Sequence, residues 1–293
     1  MRAYSQSDET LSCICPFTFA PRTLPPVIIL RDISLRRADK LLLEKAAATL
    51  LPGQRIALIG PNGCGKSSLF AMLRGELPPD GGDVEGLKGL RIAHMDQDVA
   101  ASDETALDFV LAGDAQVAAL LTTLAQQEAS EDFEAAARTH DALAKCDGYA
   151  ATGRAARLLH GLGFENDDHQ RPLADFSGGW RVRLALARAL MTPSDLMLLD
   201  EPTNHLDLDT TLWLQNFLRS YPGTLLLISH DRDFNDGCCE AVLHIEACRL
   251  DTYRGGYSDF ERQRALRIAA AQAQEEKQAR RRAEIDDFVR RFR

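Results

Sequence analysis

The feature that most constrains this chain is a glycine-rich run between an apolar strand pattern and a helical pattern. Residues 60–67 read GPNGCGKS, which fits the pattern G-x-x-x-x-G-K-S. The preceding segment 55–59 is short and apolar, and the spacing over residues 67–74 is helical. Such glycines allow backbone N–H groups to surround phosphate oxygens at the positive end of a helix. The sequence therefore predicts a phosphate-binding loop (P-loop) in an α/β fold.

The residues of this loop are the candidate nucleotide ligands. They are Gly60, Pro61, Asn62, Gly63, Cys64, Gly65, Lys66, Ser67 and the following Ser68. In this pattern Lys66 is expected to reach the β- and γ-phosphates, and the Ser67 hydroxyl is expected to coordinate Mg²⁺. Cys64 stands at a variable position, and we interpret it as a spacer.

A second motif places two carboxylates directly after a strand. Residues 196–199 form a continuous apolar run, which is typical of a central strand buried on both faces of a sheet. Asp200 and Glu201 follow it, as a Walker B segment requires. We expect Asp200 to hold Mg²⁺ through water and Glu201 to orient and polarise the attacking water. The combination with Lys66 predicts the hydrolysis of a nucleoside triphosphate.

A third motif, FSGGW at residues 176–180, precedes a helical segment over 181–191. It resembles the signature motif of the ATP-binding cassette (ABC) superfamily, commonly written LSGGQ. Trp180 departs from the usual glutamine, although tryptophan occurs there in the ABC-F branch. The resemblance implies that Ser177, Gly178 and Gly179 contact the γ-phosphate of ATP that is held by an opposite domain.

Two single residues match further ABC elements by their order and spacing. Gln97 lies 31 residues after Lys66 and follows an expected strand over 90–95. It matches the Q-loop glutamine, which implies a Mg²⁺-sensing and catalytic role. His230 follows the apolar run 224–228 and matches the switch histidine that hydrogen-bonds the γ-phosphate.

The residues after the Walker B carboxylates indicate the branch of the superfamily. The runs DEPTNHLD at 200–207 and ISHDRDF at 228–234 resemble the ABC-F family, in particular its YheS-like bacterial branch. Asp207 belongs to this D-loop and is a further candidate nucleotide ligand. We interpret His205 as part of the D-loop rather than as a metal ligand, since no second ligand lies nearby in sequence.

This resemblance implies a fold, an activity and partners. The fold is an α/β P-loop NTPase domain of the ABC type, with an antiparallel β subdomain and a helical signature subdomain. The implied activity is hydrolysis of ATP with Mg²⁺, at a composite site shared with a second ABC domain in cis or in trans. The implied partners are the ribosome, through rRNA and tRNA, in the cytoplasm and without membrane insertion. Residues 36–39 lack the aromatic that stacks on adenine in many ABC domains, so the Arg37 guanidinium is expected to stack instead.

The chain divides into three segments on this interpretation. Residues 1–26 are expected to form a disordered or non-native tail. Residues 27–257 form the ABC domain, with a helical arm at about 113–148. Two antiparallel helices near 115–129 and 131–146 make the arm, and Ser130 is expected to cap the second of them. Residues 258–293 are expected to begin a basic interdomain linker helix that continues beyond the chain.

Charge, cysteines and hydropathy limit the alternatives. The net charge of −9 argues against nucleic-acid binding by the protein surface as a whole. Residues 262–293, however, carry ten Lys/Arg against five Asp/Glu, so any contact with a polyanion is expected to be local. The seven cysteines are scattered without zinc-ligand spacing and are interpreted as free thiols in a reducing cytosol. The chain has no apolar run of about 18 residues, the length that would indicate a membrane span.

Two other classes of ABC ATPase are the alternatives to this assignment. The ATP-binding subunit of an ABC transporter would have a shorter interval between Gln97 and Ser177 and no long basic helix after the ABC core. A DNA-repair or chromosome-structure ATPase would carry a zinc module or a very long coiled coil.

Overall fold

The computed structural model describes residues 26–96 and 98–291, with side chains given up to Arg282 except that of Ala271. The expected tail at 1–26 therefore lies, apart from Pro26, outside the described residues, and so does Gln97. The strands of the described part are β1 (Ile28–Arg37), β2 (Lys40–Leu50), β3 (Arg55–Ile59), β4 (Gly81–Glu85), β5 (Ile92–His94), β6 (Leu196–Asp200), β7 (Thr224–Ile228), β8 (Ala241–Glu246) and β9 (Arg249–Arg254). Its α-helices are α1 (Lys66–Leu73), α2 (Ala106–Leu111), α3 (Ala115–Ala129), α4 (Phe133–Lys145), α5 (Ala151–Gly161), α6 (Gly178–Met191), α7 (Leu208–Ser220), α8 (Arg232–Cys238) and α9 (Tyr257–Arg291).

A six-stranded sheet in the order β5-β6-β7-β3-β8-β9 forms the centre of the fold. Its strands pair in parallel except for β9, which pairs antiparallel with β8. Side chains of successive strand residues point to opposite faces, so Leu196 and Leu198 join one apolar core while Met197 and Leu199 join the other. Because parallel strands end at the same edge of a sheet, the segments that follow β3, β6 and β7 lie close together.

A three-stranded antiparallel sheet in the order β2-β1-β4 covers one side of this centre. Leu30 and Leu43 of this sheet pack in the same core as Leu69 and Leu73 of α1. Ala38 and Asp39 form the tight turn between β1 and β2, with Ala38 at a left-handed φ of 51°. This packing fixes the β1–β2 hairpin against the element that carries the P-loop.

The helices α3 and α4 form the expected arm, and they pack against each other as a hairpin. Ser130 does not cap the second helix, so that prediction was wrong: Ser130 is the C-cap of α3, and Asp132 caps α4 by accepting from Ala135 N at 3.0 Å. The carboxylate of Asp132 is placed for this role because Glu131, at φ 56°, reverses the chain direction. At the base of the arm, the nearly buried Arg154 lies 2.7 Å from Asp147 Oδ2 and 3.8 Å from Asp114 Oδ2.

The helix α9 starts docked on the edge of the central sheet and then continues into solvent. Phe260 is buried, with its ring 5.0 Å from that of Tyr253 and 4.9 Å from that of His244. Arg264 pairs with Glu246 of β8 in the next turn of the helix. Beyond this contact the described side chains are almost all exposed. Within the described ranges no helix is both long enough and apolar enough to cross a membrane.

Candidate functional site

The P-loop joins β3 to α1, and its glycines are required by backbone conformation and by space. Gly63 has φ 72° and Gly65 has φ 113°, both in the left-handed region that favours glycine. A Cβ at Gly65 would lie 3.0 Å from Leu42 Cβ of the neighbouring sheet. A Cβ at Gly60 would lie 2.7 Å from Cys64 Sγ and 2.8 Å from the Ile245 carbonyl oxygen. The loop therefore forms a close-fitting cradle at the N-terminus of α1.

Two lysines donate hydrogen bonds to carbonyl groups of this loop. Lys66 Nζ donates to Gly60 O at 2.8 Å and to Pro61 O at 3.3 Å. Lys40 Nζ, from the start of β2, donates to Gly63 O at 2.8 Å. Both ammonium groups thus lie against the loop that the sequence predicts to bind phosphate.

The hydroxyl of Ser67 and the carboxylate of Asp200 meet as the two motifs predict. Ser67 Oγ donates to Asp200 Oδ2 at 3.3 Å across 133 positions of sequence. A hydroxyl and a carboxylate are oxygen ligands of the kind that Mg²⁺ prefers. The donor set therefore fits a Mg²⁺ ion held together with substrate phosphates.

Glu201 follows Asp200 at the end of β6 in an unusual backbone conformation. Its φ is 51°, and its N–H donates to Ile228 O of β7 at 2.8 Å. Oε2 accepts from His230 N at 3.4 Å, whereas Oε1 is buried, accepts no hydrogen bond and lies 3.4 Å from His230 Nε2. Burial raises the pKa of this carboxyl group, and the neighbouring His230 opposes that rise. A buried, unsatisfied carboxylate oxygen at a cavity is suited to accept a hydrogen bond from water or substrate.

These residues surround one open cavity of about 560 Å³. Nine of the residues singled out from the sequence as ligands or catalytic groups line it: Asn62, Gly63, Gly65, Lys66, Ser67, Ser68, Asp200, Glu201 and His230. Arg37, which the sequence suggested as a stacking group, also lines the cavity. Gly60 and Lys66 additionally border a smaller space of about 50 Å³ beside His230 and Tyr257. The P-loop, the Walker B carboxylates and the switch histidine therefore converge.

The signature residues and Asp207 do not line this cavity. Ser177 and Gly178 are exposed at the start of α6, and Ser177 makes no side-chain cap bond. Gly179 lies beside His205, since a Cβ there would be 3.7 Å from His205 Cβ. Asp207 caps α7 by accepting from Thr210 N at 2.9 Å, and this bond lowers the pKa of its carboxyl group. We call the surface formed by residues 177–179 and 205–207 the signature face.

Arg183 of α6 contacts the 205–207 half of the signature face. Its Nε donates to His205 O at 2.9 Å, and its Nη1 lies 3.7 Å from Asp207 Oδ2. Its guanidinium also lies over the ring of Trp180 at 4.6 Å, and that ring packs edge-on against Phe164. Within the described residues, no group of three or more His, Cys, Asp or Glu side chains is arranged to hold a metal ion, His205 included.

Three cavity residues were not found from the sequence, namely Lys40, Leu42 and Ile228. Lys40 and Leu42 reach the cavity only because the β1–β2 hairpin folds against α1. The single local signal for Lys40 is a basic residue directly after the Ala38–Asp39 turn, which is common on any protein surface. Ile228 is the last residue of β7, and its place in an apolar run indicates burial rather than a position at a cavity.

Comparisons with known proteins agree with this geometry. A family model described as ABC transporter matches residues 43–204, and a second one with the same description matches residues 243–293. The probable ATP-binding protein YheS of Escherichia coli strain K12 is 46% identical over 267 residues, which is 91% of this chain and 42% of that protein. ATP-binding cassette sub-family F member 3 of Homo sapiens is 38% identical over 270 residues, which is 89% of this chain and 37% of that protein.

The comparison with solved structures concerns the fold. The ATP-binding subunit of an ABC transporter superposes with a TM-score of 0.58 at 20% identity, covering 83% of this chain and 95% of that one. The chain thus has the ABC nucleotide-binding fold, and it spans about two fifths of the length of the curated relatives that it matches. The chain is 46% and 38% identical in sequence to these two relatives over 91% and 89% of its length. It therefore belongs to the ABC-F family of ABC ATPases.

Proposed function

We propose that this chain binds and hydrolyses ATP to control the association of an ABC-F protein with the ribosome during translation. The observation that carries the catalytic part is the convergence of Lys66, Ser67, Asp200, Glu201 and His230 on one cavity. Family membership supports ATP as the nucleotide, since the curated relatives are described as ATP-binding.

The binding groups divide between charge neutralisation and metal coordination. Lys66 and the backbone N–H groups of the P-loop would neutralise the phosphates. Ser67 and Asp200 would hold Mg²⁺, joined by Gln97 as the sequence predicts. When bound, Mg²⁺ neutralises charge on the phosphate oxygens during transfer.

The catalytic carboxylate is Glu201. Its Oε1, which has no hydrogen-bond partner, can accept a hydrogen bond from an O–H of the attacking water. Burial raises the pKa of the carboxyl group and hence its basicity. The backbone N–H of His230 fixes the other oxygen, Oε2, from the adjacent strand end. His230 lines the same cavity and would hydrogen-bond the γ-phosphate.

The signature face would act on a different nucleotide. None of its candidate ligands lines the cavity at Lys66, so they would not contact an ATP molecule bound there. These candidate ligands are Ser177, Gly178, Gly179 and Asp207. We infer that they complete the site of a second ABC domain, in cis within a longer protein or in trans, and that this domain completes the present site in return.

The ribosome assignment rests on the ABC-F family and on the charge of α9. Arg280, Arg281 and Arg282 are consecutive and exposed, which suits contacts with rRNA or tRNA phosphates. Because the rest of the chain is acidic and residues 262–293 are basic, such contacts would be confined to this helix. The proposed location of this activity is the cytoplasm, without insertion into a membrane.

The test is ribosome co-sedimentation of the Glu201→Gln variant, both as this chain and fused to a second ABC domain. Glutamine cannot act as a base, so we expect hydrolysis to fall by about 10²- to 10⁴-fold while ATP stays bound. The fused variant should co-sediment with ribosomes in ATP and not in ADP. Lys66→Ala is the control, because it removes the phosphate contact and should abolish ATP-dependent sedimentation. A fused Glu201→Gln protein that binds ATP but never co-sediments would overturn the ribosome role and leave the ATPase chemistry intact.

A further inference from the structure

The β1–β2 turn brings a second lysine to the phosphate-binding loop. Lys40 is the first residue of β2, and its Nζ lies 2.8 Å from the carbonyl oxygen of Gly63, at the left-handed corner of the loop. Lys66 Nζ makes the equivalent bond to Gly60 O, also at 2.8 Å. The two ammonium groups therefore bind two carbonyls of the same loop, and both line the same cavity.

The part of the cavity wall that the hairpin contributes is cationic and carries no group suited to recognise a particular base. It consists of Arg37, Lys40 and Leu42. Among the described cavity residues no phenylalanine, tyrosine or tryptophan ring is present, and the hairpin offers no amide or carboxylate side chain to the cavity. A guanidinium stacks on any base, so such a wall attracts phosphates without selecting adenine.

We propose that Lys40 is a further nucleotide-binding residue that contacts the polyphosphate chain, so that the site recognises nucleoside triphosphates by their phosphates rather than by their base. The Lys40 ammonium sits on a flexible four-carbon stem and carries three N–H donors. An anionic phosphate oxygen accepts a stronger hydrogen bond from it than the neutral Gly63 carbonyl does. The exchange needs only a rotation of the exposed Lys40 side chain. This inference rests on the proposed function, because it concerns the same cavity.

The experiment measures binding of ATP, GTP, CTP, UTP and AMP to the 293-residue chain by calorimetry. For the wild type we expect affinities for the four triphosphates to agree within about tenfold, since no side chain reads the base edge. Lys40→Gln should weaken all four on the order of tenfold and AMP far less, because the lost contact is a charge-assisted bond to the polyphosphate. Lys88→Gln is the matched control: it removes the same charge from an exposed turn outside the cavity and should leave all affinities unchanged.

A second probe separates phosphate contact from support of the loop. Glutamine keeps an N–H donor for Gly63 O but loses the charge. Inorganic tripolyphosphate should therefore displace ATP from the wild type and act on the order of tenfold more weakly on Lys40→Gln, with a smaller salt dependence. Equal affinities of Lys40→Gln and wild type for the triphosphates and for tripolyphosphate would overturn the inference, and so would a strong preference for ATP over GTP. If Lys66→Ala abolishes binding while Lys40→Gln has no effect, only this inference fails. A wild-type chain that binds no triphosphate would instead contradict the proposed function.

Discussion

At the scale of single residues, Glu201 combines three properties that local sequence rules do not favour together. It has a positive φ, its carboxylate is largely withdrawn from water, and one carboxylate oxygen has no hydrogen-bond donor. A non-glycine residue in that conformation costs free energy and is found where surrounding structure fixes it. Here the bond from Glu201 N to Ile228 O provides the constraint. In this constrained backbone conformation, the Glu201 carboxylate lies at the cavity next to His230.

The raised pKa of Glu201 predicts the pH dependence of hydrolysis. Burial raises this pKa above its ordinary value of 4.5, so the protonated, inactive carboxyl persists to a higher pH than in an exposed glutamate. The rate should fall as pH decreases through that raised pKa. His230 opposes the rise, whereas Asp200 adds to it and Lys66 opposes it weakly. His230→Gln should therefore move the acid limb of the kcat profile to still higher pH.

The measurement is kcat against pH for wild type and His230→Gln, with ATP binding recorded at each pH. The binding curve separates titration of the nucleotide from titration of Glu201. An acid limb at or below the pH of an ordinary glutamate would contradict the assignment of Glu201 as the buried base. A limb that does not move in His230→Gln would contradict the role given to His230.

How far single site residues could be predicted depends on whether their signal is local. Lys66, Ser67, Asp200 and Glu201 stand in short runs whose residue types are fixed by phosphate and metal chemistry, and the structure brings them together. Lys40 contacts Gly63 across 23 positions, through a hairpin whose position against α1 depends on the whole core. No local pattern distinguishes it from other exposed lysines, so only the structure places it at the cavity.

At the scale of elements, predictions were accurate where periodicity and boundary residues agree. The strands at 55–59 and 224–228 have the expected bounds, and α3 covers the expected 115–129. The expected strand over 90–95 is shorter, Ile92–His94, because Leu90 N bonds to Leu87 O in a turn instead. The helix expected from 181 begins at Gly178, since the signature glycines form its first turn. Ser130 and Asp132 are both good N-caps, and only the chain reversal at Glu131 decides between them.

Two glycines of α5 predict opposite effects of one substitution. An added Cβ at Gly153 meets no atom within 4 Å, whereas at Gly161 it lies 2.0 Å from Trp213 Cε2. Gly153→Ala should stabilise the protein by about 0.5–1 kcal/mol, because alanine loses less backbone entropy in a helix. Gly161→Ala should destabilise it by about 1–3 kcal/mol, because the indole ring must move out of a packed position.

Urea unfolding of the two variants checks this prediction, with the midpoint compared at unchanged slope. Each variant is the control of the other, since helix and substitution are the same. A Gly161→Ala variant at least as stable as wild type would mean that the contact between α5 and α7 at Trp213 is loosely packed.

At the scale of the whole molecule, the fold places the P-loop cavity and the signature face apart. The P-loop cavity lies at the ends of β3, β6 and β7, while the signature face lies at the starts of α6 and α7. Periodicity and composition predict the α/β class but not this separation. The resemblance to the ABC family implies that the two parts act on different nucleotides, and residues 177–179 do lie outside the cavity.

This separation predicts that hydrolysis by the chain depends on pairing. If each ATP needs Lys66 of one chain and Ser177 of another, turnover per molecule should rise with chain concentration. Lys66→Ala and Ser177→Arg should each be nearly inactive alone, because one lacks the phosphate contact and the other blocks the signature face. Their mixture should recover activity, since Lys66 of the Ser177→Arg chain can face Ser177 of the Lys66→Ala chain.

The control mixes Lys66→Ala with the double variant Lys66→Ala/Ser177→Arg, a pair in which no intact P-loop exists. That mixture should stay inactive at every concentration, which separates complementation from a general effect of protein concentration. Both ATPase rate and sedimentation velocity should be followed, so that activity can be compared with the paired fraction. Turnover that stays constant over about two decades of concentration would show that one chain completes its own site. Because Ser177 is exposed and lies outside the Lys66 cavity, that outcome would require a large movement of α6 relative to β3.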